Sequence, residues 1–491
     1  MNKIPALPKK INKILLIVPP AYIYKGTKDI NPIPPIGLAY IGAVLKNNSR
    51  QVMIIDCLAE GWETITPVNE NIERVGLTLE EIRKRIKDFS PDLVGVSNHF
   101  TRQKESARQI YELVKKIDKN IVTVAGGAHP TAAPEEEIKN KYLDYVILGE
   151  GEYSFLDLLQ YMEGKLSEKD LDGICFKEDD GVKIIPKKKF IENLDSLPFP
   201  AYELINWSKY FGQRYCHGER RKDRYMPVIT SRGCPFDCVF CSAHKVWGKK
   251  FRTRSPENVI KELKFLKSEY GIEEIIFEDD NLTLDIKRAE KLFDLMIEEK
   301  LDLIWDTPNG VAAFALTPEI IKKMKDSGCY CVNFAIESGS QHDLDKVIKK
   351  PLDLKKVPSL VNYAKKIGLE VGIFLVIGIP GQTSKSMKDS FKFAAKLRIY
   401  SPFISIATPY PGTELYEICE KNGYITEDFD SGRLSIYNAN INTPEFTARK
   451  LLKLRNSLCD YLIWQNRLHD PLKLLKDAVN KAGRLMKKTE G

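Results

Sequence analysis

Two successive α/β units followed by a helical tail are the architecture this sequence predicts. A doubly wound sheet is expected over residues 1–165, a linker with a small hairpin over 166–225, a partial (β/α)6 barrel over 226–425, and a helical appendage over 426–491. Two observations carry that reading. Short β-branched runs alternate with helix-period segments through the first third of the chain, and the alternation resumes near residue 226. Irregular, proline-bearing sequence separates the two stretches. Of 491 residues, 43% are hydrophobic and 29% charged, a globular balance that excludes collagen-like, coiled-coil and disordered chains.

In the first unit the strand candidates are Ile14–Val18, Val52–Asp56, Leu93–Ser97, Ile121–Ala125 and Tyr145–Leu148, short and apolar as buried parallel strands are. Helices are expected at Gly37–Lys46, Leu79–Phe89, Lys104–Ile117, Pro134–Lys141 and Tyr153–Glu163. Ligands bind such sheets beyond the carboxyl ends of the strands. Those ends are Pro19-Pro20, Asn98-His99, Gly126-Gly127 and Gly149-Glu150-Gly151, where glycine serves a close ligand or a plain turn equally well. The linker holds GICFKEDDGVKII, with Asp180-Gly181 as a hairpin turn, and DSLPFPAYELI, whose prolines disfavour helix. Barrel strands are expected at Pro227–Thr230, Glu274–Phe277, Leu303–Asp306, Cys331–Ile336, Val371–Ile377 and Phe403–Ala407. Ser255-Pro256 opens a helix whose Val259, Ile260, Leu263 and Leu266 share one face.

A net charge of +8, from 75 basic and 67 acidic residues, fits a solvated lysine-rich surface or a mild attraction for anionic substrates. No arginine stripe interleaved with aromatics points to nucleic acid. No apolar run reaches the roughly 18 residues of a membrane span, and the basic N-terminal MNKIPALPKKINKILLIVPP has too short an apolar stretch for a signal sequence. The expectation is a cytoplasmic protein, in which ten cysteines argue for metal binding over a disulfide framework.

TSRGCPFDCVFCSAH places Cys234, Cys238 and Cys241 in C-x-x-x-C-x-x-C spacing on the loop after the first barrel strand. Three thiolates on one loop can hold three irons of a [4Fe–4S] cluster and leave the fourth open to a small molecule. A zinc knuckle needs a fourth ligand, for which His244 or Cys216 is available. Cys329 and Cys331 lie two apart on a strand and read as buried structural thiols.

CPFDCVFC, with Phe240 before the last cysteine, resembles the signature of the radical S-adenosylmethionine enzymes. The resemblance implies a TIM-type partial barrel, an open iron chelated by S-adenosylmethionine, and a 5′-deoxyadenosyl radical formed on reduction. FEDDN resembles the family's motif for the methionine amino group, with Asp279 and Asp280 as the matches. AIESGS resembles the ribose-contacting motif and implies roles for Glu337 and Ser338, and GIFLVIGIPGQT resembles the glycine motif beside the adenine, with Gly378 and Gly381. A solvated loop or helix cap is the alternative for the two carboxylates.

PPIGLAYIGAVLKNN, VAGGAHPT and ILGEGE resemble the Rossmann-like cobalamin-binding domains fused to one subfamily of these enzymes, and DSLPFPAYELI resembles its inter-domain linker. The implied cobalamin contacts are Pro19, Pro34, Pro35, Gly37, Asn98, Gly126, Gly127, His129, Thr131, Gly149, Glu150 and Gly151. The D-x-H-x-x-G string that puts histidine on cobalt in many cobalamin proteins is absent among the six histidines. The resemblance therefore implies base-off cobalamin without a histidine ligand, with Asn98–Arg102 near its lower face and His99 nearby. A nucleotide-binding or degenerate domain is the alternative.

Together these resemblances imply methyl transfer from methylcobalamin to a substrate carbon radical, with a small-molecule substrate and an electron donor such as flavodoxin or ferredoxin. Oxidative cyclisation or ring rearrangement with the same cofactors is the rival chemistry, and a non-catalytic iron–sulfur or corrinoid carrier is the third reading. Pro409, Tyr410 and Gly412, at the sixth strand end, are the expected shapers of the substrate pocket.

Overall fold

The structure, a computed structural model, describes residues 10–25, 30–178, 181–399, 401–430 and 434–469. Its first part forms β1 (Lys13–Val18), β2 (Ala21–Tyr24), β3 (Gln51–Asp56), β4 (Ile65–Pro67), β5 (Ile72–Val75), β6 (Leu93–Ser97), β7 (Val122–Gly126), β8 (Tyr145–Ile147), β9 (Ile174–Glu178) and β10 (Gly181–Ile185). Seven of these strands build one sheet in the order β10-β9-β8-β7-β6-β1-β3, parallel from β3 through β8. The chain lays β3 on one side of β1 and β6 on the other, so the winding reverses between β1 and β6. That reversal opens a crevice beyond the carboxyl ends of the two strands, where ligands of doubly wound sheets bind. Pro19 and Asn98 immediately follow those ends.

Two features differ from the sequence expectation. The linker hairpin is not a separate element, because β9 pairs antiparallel with β8 and β10 antiparallel with β9, extending the first sheet. Ile174, Cys175 and Phe176 are buried there and continue its apolar faces; Asp180 of the expected turn lies outside the described residues. A small antiparallel sheet, β2-β5-β4, also forms around Ala21, Ile23, Ile30, Leu58 and Val75. No clear periodicity announces it, since its strands are three or four residues long.

The second part forms β11 (Tyr225–Val228), β12 (Ser231–Arg232), β13 (Arg252–Thr253), β14 (Glu274–Phe277), β15 (Ile304–Asp306), β16 (Cys329–Glu337), β17 (Glu370–Ile377) and β18 (Ser401–Ile406). β11-β14-β15-β16-β17-β18 is an all-parallel sheet in strict chain order, and β11 and β18 do not pair, so hydrogen bonding leaves it open. Ser255, Asp285, Thr317 and Thr383 start four of the connecting helices by accepting hydrogen bonds from first-turn amides. The expected helical appendage is helical at Ala448–His469, whereas the described residues of 426–447 form no helix. Asn438, Asn440, Asn442 and Pro444 favour turns there, and residues past 469 lie outside the described ones.

One apolar core runs through both parts. Ile14, Leu16 and Val124 of the first sheet share it with Tyr202, Trp207 and Tyr210 of the linker and with Met226, Ile275 and Trp305 of the second. The linker is therefore a wedge: Tyr210 donates to Asp56 at 2.5 Å, and Tyr202 to Glu262 at 2.8 Å. Arg220, its side chain 1% exposed, reaches Glu274 and Asp306 at 3.0 Å each. Arg220→Ala strips two buried carboxylates of their counter-charge and is expected to cost about 3–5 kcal/mol. Denaturant melts followed by tryptophan fluorescence check this, with the exposed pair variant Arg214→Ala expected to cost below about 1 kcal/mol.

Candidate active site

β12 and β13 pair antiparallel with Arg232 opposite Arg252, closing the loop that carries Cys234, Cys238 and Cys241. All three cysteines are half-buried and unbridged. Burial pushes the Cys238 thiol up to about 11 and Cys241 to about 12, so these thiols need a metal's charge to ionise near neutral pH. The Lys350 ammonium beside them pulls the other way. Cys216 lies apart, among Glu278, Arg220 and Tyr225. Among the described residues no group of three His, Cys, Asp or Glu side chains is gathered as the four ligands of a zinc knuckle are. A cubane, by contrast, gives each cysteine its own iron. Cys329 and Cys331 begin β16, at the far end of the strand, where the Cys329 thiol meets the Cys331 carbonyl at 3.2 Å.

The residues expected around S-adenosylmethionine separate into two groups. Asp280, Glu337 and Lys350 converge on the cysteines. Asp280 is solvent-accessible yet surrounded by protein atoms, as a side chain inside a cleft is, and burial with Asp279 beside it pushes its carboxyl up to about 6. A β-bulge at the end of β16 turns Glu337 into left-handed backbone, φ 67°, and aims it at Lys350, 2.9 Å away. Phe240 packs at the margin of the core beside the last cysteine.

Asp279 does not join them. Its carboxylate accepts from the Thr230 amide and hydroxyl, 2.5 Å each, and from the Ser231 amide at 2.8 Å, so it anchors the strand end that leads to the cysteines. Ser338 is fully buried and bonded to Ser390 and the Ser340 amide. Gly378 makes room for Leu451 of the C-terminal helix, whose Cδ2 lies 2.3 Å from where a Cβ would stand, and Gly381 meets only Val347, at 3.5 Å. Lys350 was not legible in the sequence; the π-helical turn Asp343–Ile348 just before it is the structural device that swings it inward.

On the first sheet's rim, Gly37 and Gly126 face open space, with no atom within 4 Å of a Cβ position. Gly127 and Gly149 are spent on protein contacts instead. A Cβ on Gly127, at φ 112°, would stand 2.8 Å from the Asn98 carbonyl oxygen, and one on Gly149, at φ 66°, 3.0 Å from the Val246 carbonyl oxygen. Gly151 packs on Ile41, and Thr131 donates to the Gly127 carbonyl and accepts from the Gly149 amide, tying the two loops. Pro19 and Pro34 are buried, and Pro35 leads into the helix Ile36–Asn47. Glu150 is buried, and its carboxylate is taken up by ion pairs with Arg232 and Arg252.

His129 is buried, its imidazole pKa driven down to about 4, with Glu137 3.8 Å away. Its ring nitrogens and the Asn98 side-chain amide are buried with no partner at good hydrogen-bond geometry, the Glu137 carboxylate being the nearest polar group. Unpaired polar atoms beneath an open glycine rim fit the polar edge of a corrin. His99 is accessible yet enclosed by protein, and it faces His217 of the linker and Glu278 at the end of β14. His217 Nδ1 lies 2.8 Å from Glu278, and Asn309 donates to the same carboxylate at 3.3 Å. The His99 loop of the first sheet's rim thus meets the Glu278 end of β14.

Cys234→Ala, Cys238→Ala and Cys241→Ala are each expected to abolish the oxygen-sensitive cluster after anaerobic reconstitution, while Cys329→Ala and Cys331→Ala keep iron content near normal, by iron and sulfide assay. Gly126→Val is expected to cut cobalamin retention at least tenfold with an unchanged melting temperature, read by corrin absorbance. Gly127→Val is expected to lower the melting temperature itself, because its Cβ collides with backbone.

Residues 228–394 match the Radical SAM superfamily, and residues 29–159 match the B12 binding domain. The chain is 34% identical over 470 residues to cytidylyl-2-hydroxyethylphosphonate methyltransferase of Streptomyces wedmorensis, spanning 89% of this chain and 87% of that protein. It is 34% identical over 480 residues to an uncharacterized methyltransferase of Pyrococcus horikoshii, spanning 98% and 97%. The structure of the radical S-adenosylmethionine methyltransferase TsrM of Kitasatospora setae, with cobalamin and a [4Fe–4S] cluster bound, shares the fold: TM-score 0.66 and 17% identity, over 85% of this chain and 79% of the other. Identity of this extent along nearly the whole length, with both halves matched, makes the chain a member of the cobalamin-dependent radical S-adenosylmethionine methyltransferases, enzymes that work with a [4Fe–4S] cluster, S-adenosylmethionine and cobalamin.

Proposed function

We propose that the enzyme methylates an unactivated carbon of a small molecule held in the cleft between the His99 loop and the strand ends of the second sheet. The observations that carry this reading are an open glycine rim on the first sheet, the Asp280–Glu337–Lys350 group around the cysteines, and a His99 loop that faces Glu278, two residues before Asp280. When bound, the cluster with S-adenosylmethionine supplies a 5′-deoxyadenosyl radical and cobalamin supplies the methyl group. The chain's task is placement and exclusion of water. Asp280 receives the positive amino group, Lys350 balances the thiolates, and Glu337 holds Lys350 in place. Phe236 and Phe314, edge to face at 5.2 Å, shield the outer side of the cysteine loop.

Further assignments belong to the same reading. The first domain runs through β10 to residue 185, since that strand completes its sheet. Cobalamin binds base-off, with the Asn98–Arg102 loop below it. The electron donor is a flavodoxin or ferredoxin, and the compartment is the cytosol, where ten unbridged cysteines and an oxygen-sensitive cluster survive. No helix among the described residues is long and apolar enough to cross a membrane. Cytidylyl-2-hydroxyethylphosphonate, named for the Streptomyces relative, is the first compound to assay.

Turnover is expected to give S-adenosylhomocysteine and 5′-deoxyadenosine in near-equal amounts per product gaining one methylene mass. Asp280→Asn is expected to depress 5′-deoxyadenosine at least tenfold, because the sulfonium is misplaced. Mass spectrometry of both nucleosides decides between chemistries. 5′-Deoxyadenosine with an unmethylated, cyclised product moves the assignment to ring formation, and methylation without 5′-deoxyadenosine moves it to polar transfer.

A further inference from the structure

The cysteine loop is closed by a pair of arginines that do not stabilise each other. Arg232 and Arg252 stand directly opposite on the β12–β13 ladder, both side chains buried, a placement that repels unless something neutralises it. The neutralising groups come from the other half of the chain. Glu150 Oε1 accepts from Arg252 at 2.7 Å and from Arg232 at 3.2 Å, and Glu152 accepts from Arg232 at 2.6 Å. The second Glu150 oxygen accepts from the Ile191 amide at 2.8 Å. Arg252 also donates to the Trp247 carbonyl at 2.6 Å, at the end of the short helix Ala243–Trp247 that follows Cys241. Gly149, beside Glu150, packs on the Val246 carbonyl of that helix, and its amide is tied through Thr131 to the Gly127 loop.

We propose that Glu150 is a positioning residue that sets where the cysteine loop stands relative to the cobalamin rim, and thereby fixes the separation between cluster and cobalt. The proposal rests on the assignment of both cofactors and needs no knowledge of the substrate. A carboxylate serving two arginines at the foot of the loop holds one geometry, whereas an amide brings no charge against the ladder's repulsion and, with its oxygen on the arginines, turns an NH2 toward the Ile191 amide that the second carboxylate oxygen serves.

The test uses the full chain reconstituted anaerobically with iron, sulfide and hydroxocobalamin. The relaxation rate of the cob(II)alamin EPR signal is measured with the cluster oxidised and then reduced. In the wild type the reduced, paramagnetic cluster is expected to enhance cobalt relaxation. Glu150→Gln, with wild-type iron and cobalamin content, is expected to lower that enhancement at least twofold. Arg50→Gln breaks a buried pair with Glu163 within the first half, and is expected to lower the melting temperature with the enhancement unchanged. Unchanged enhancement in Glu150→Gln overturns the proposal, whatever its melting temperature. Should Glu150→Gln fail to fold, Glu152→Gln and Arg232→Lys are read by the same criterion. A wild-type chain that retains no corrin absorbance overturns the cofactor assignment and this proposal with it, and is recognised by that absorbance alone.

Discussion

Two arginines stand face to face at the foot of the cysteine loop, and carboxylates from the other half of the chain neutralise them. The Arg232 guanidinium also lies over the rings of Tyr40 and Trp247, at 5.2 and 4.9 Å. Buried ion pairs add little net stability over well-packed apolar side chains, but losing one partner costs about 3–5 kcal/mol. Their distinguishing property is that they accept a single arrangement. The cysteines thus inherit their placement from a sheet that contributes none of them.

Three consecutive carboxylates at one strand end show how closely such placement is specified. Glu278 turns to His217, Asp279 turns back to hold the backbone of Thr230 and Ser231, and Asp280 points into the recess with the cysteines. Side chains alternate along an extended strand, so neighbours at its end serve different rooms. FEDDN located the site in the sequence without dividing its labour. Asp279 matched the motif as well as Asp280 did, and only its three short hydrogen bonds assign it to the scaffold.

The main strands and most helices were legible because buried runs of branched residues leave a strong periodic trace, and the three cysteines because their spacing is chemically demanding. Glycines were read less well. A glycine signals that something comes close, not what: Gly126 faces open space, whereas Gly378 admits Leu451 and Gly149 admits Val246. Lys350 looked like any surface lysine, since nothing in a Lys-Lys-Pro run records the tight turn that carries it inward. The wedge of Tyr202, Trp207 and Tyr210 escaped notice for a related reason: aromatic residues in irregular sequence carry no period to read.

That wedge has a kinetic consequence. Because one continuous core joins both sheets through it, the halves have no greased plane on which to part. An enzyme of this kind consumes S-adenosylmethionine for two purposes, yet its two workshops share a wall of packed side chains. Traffic must then be ordered by what already occupies the space beside that wall rather than by a swinging hinge, so that departure of one spent nucleoside makes way for the next.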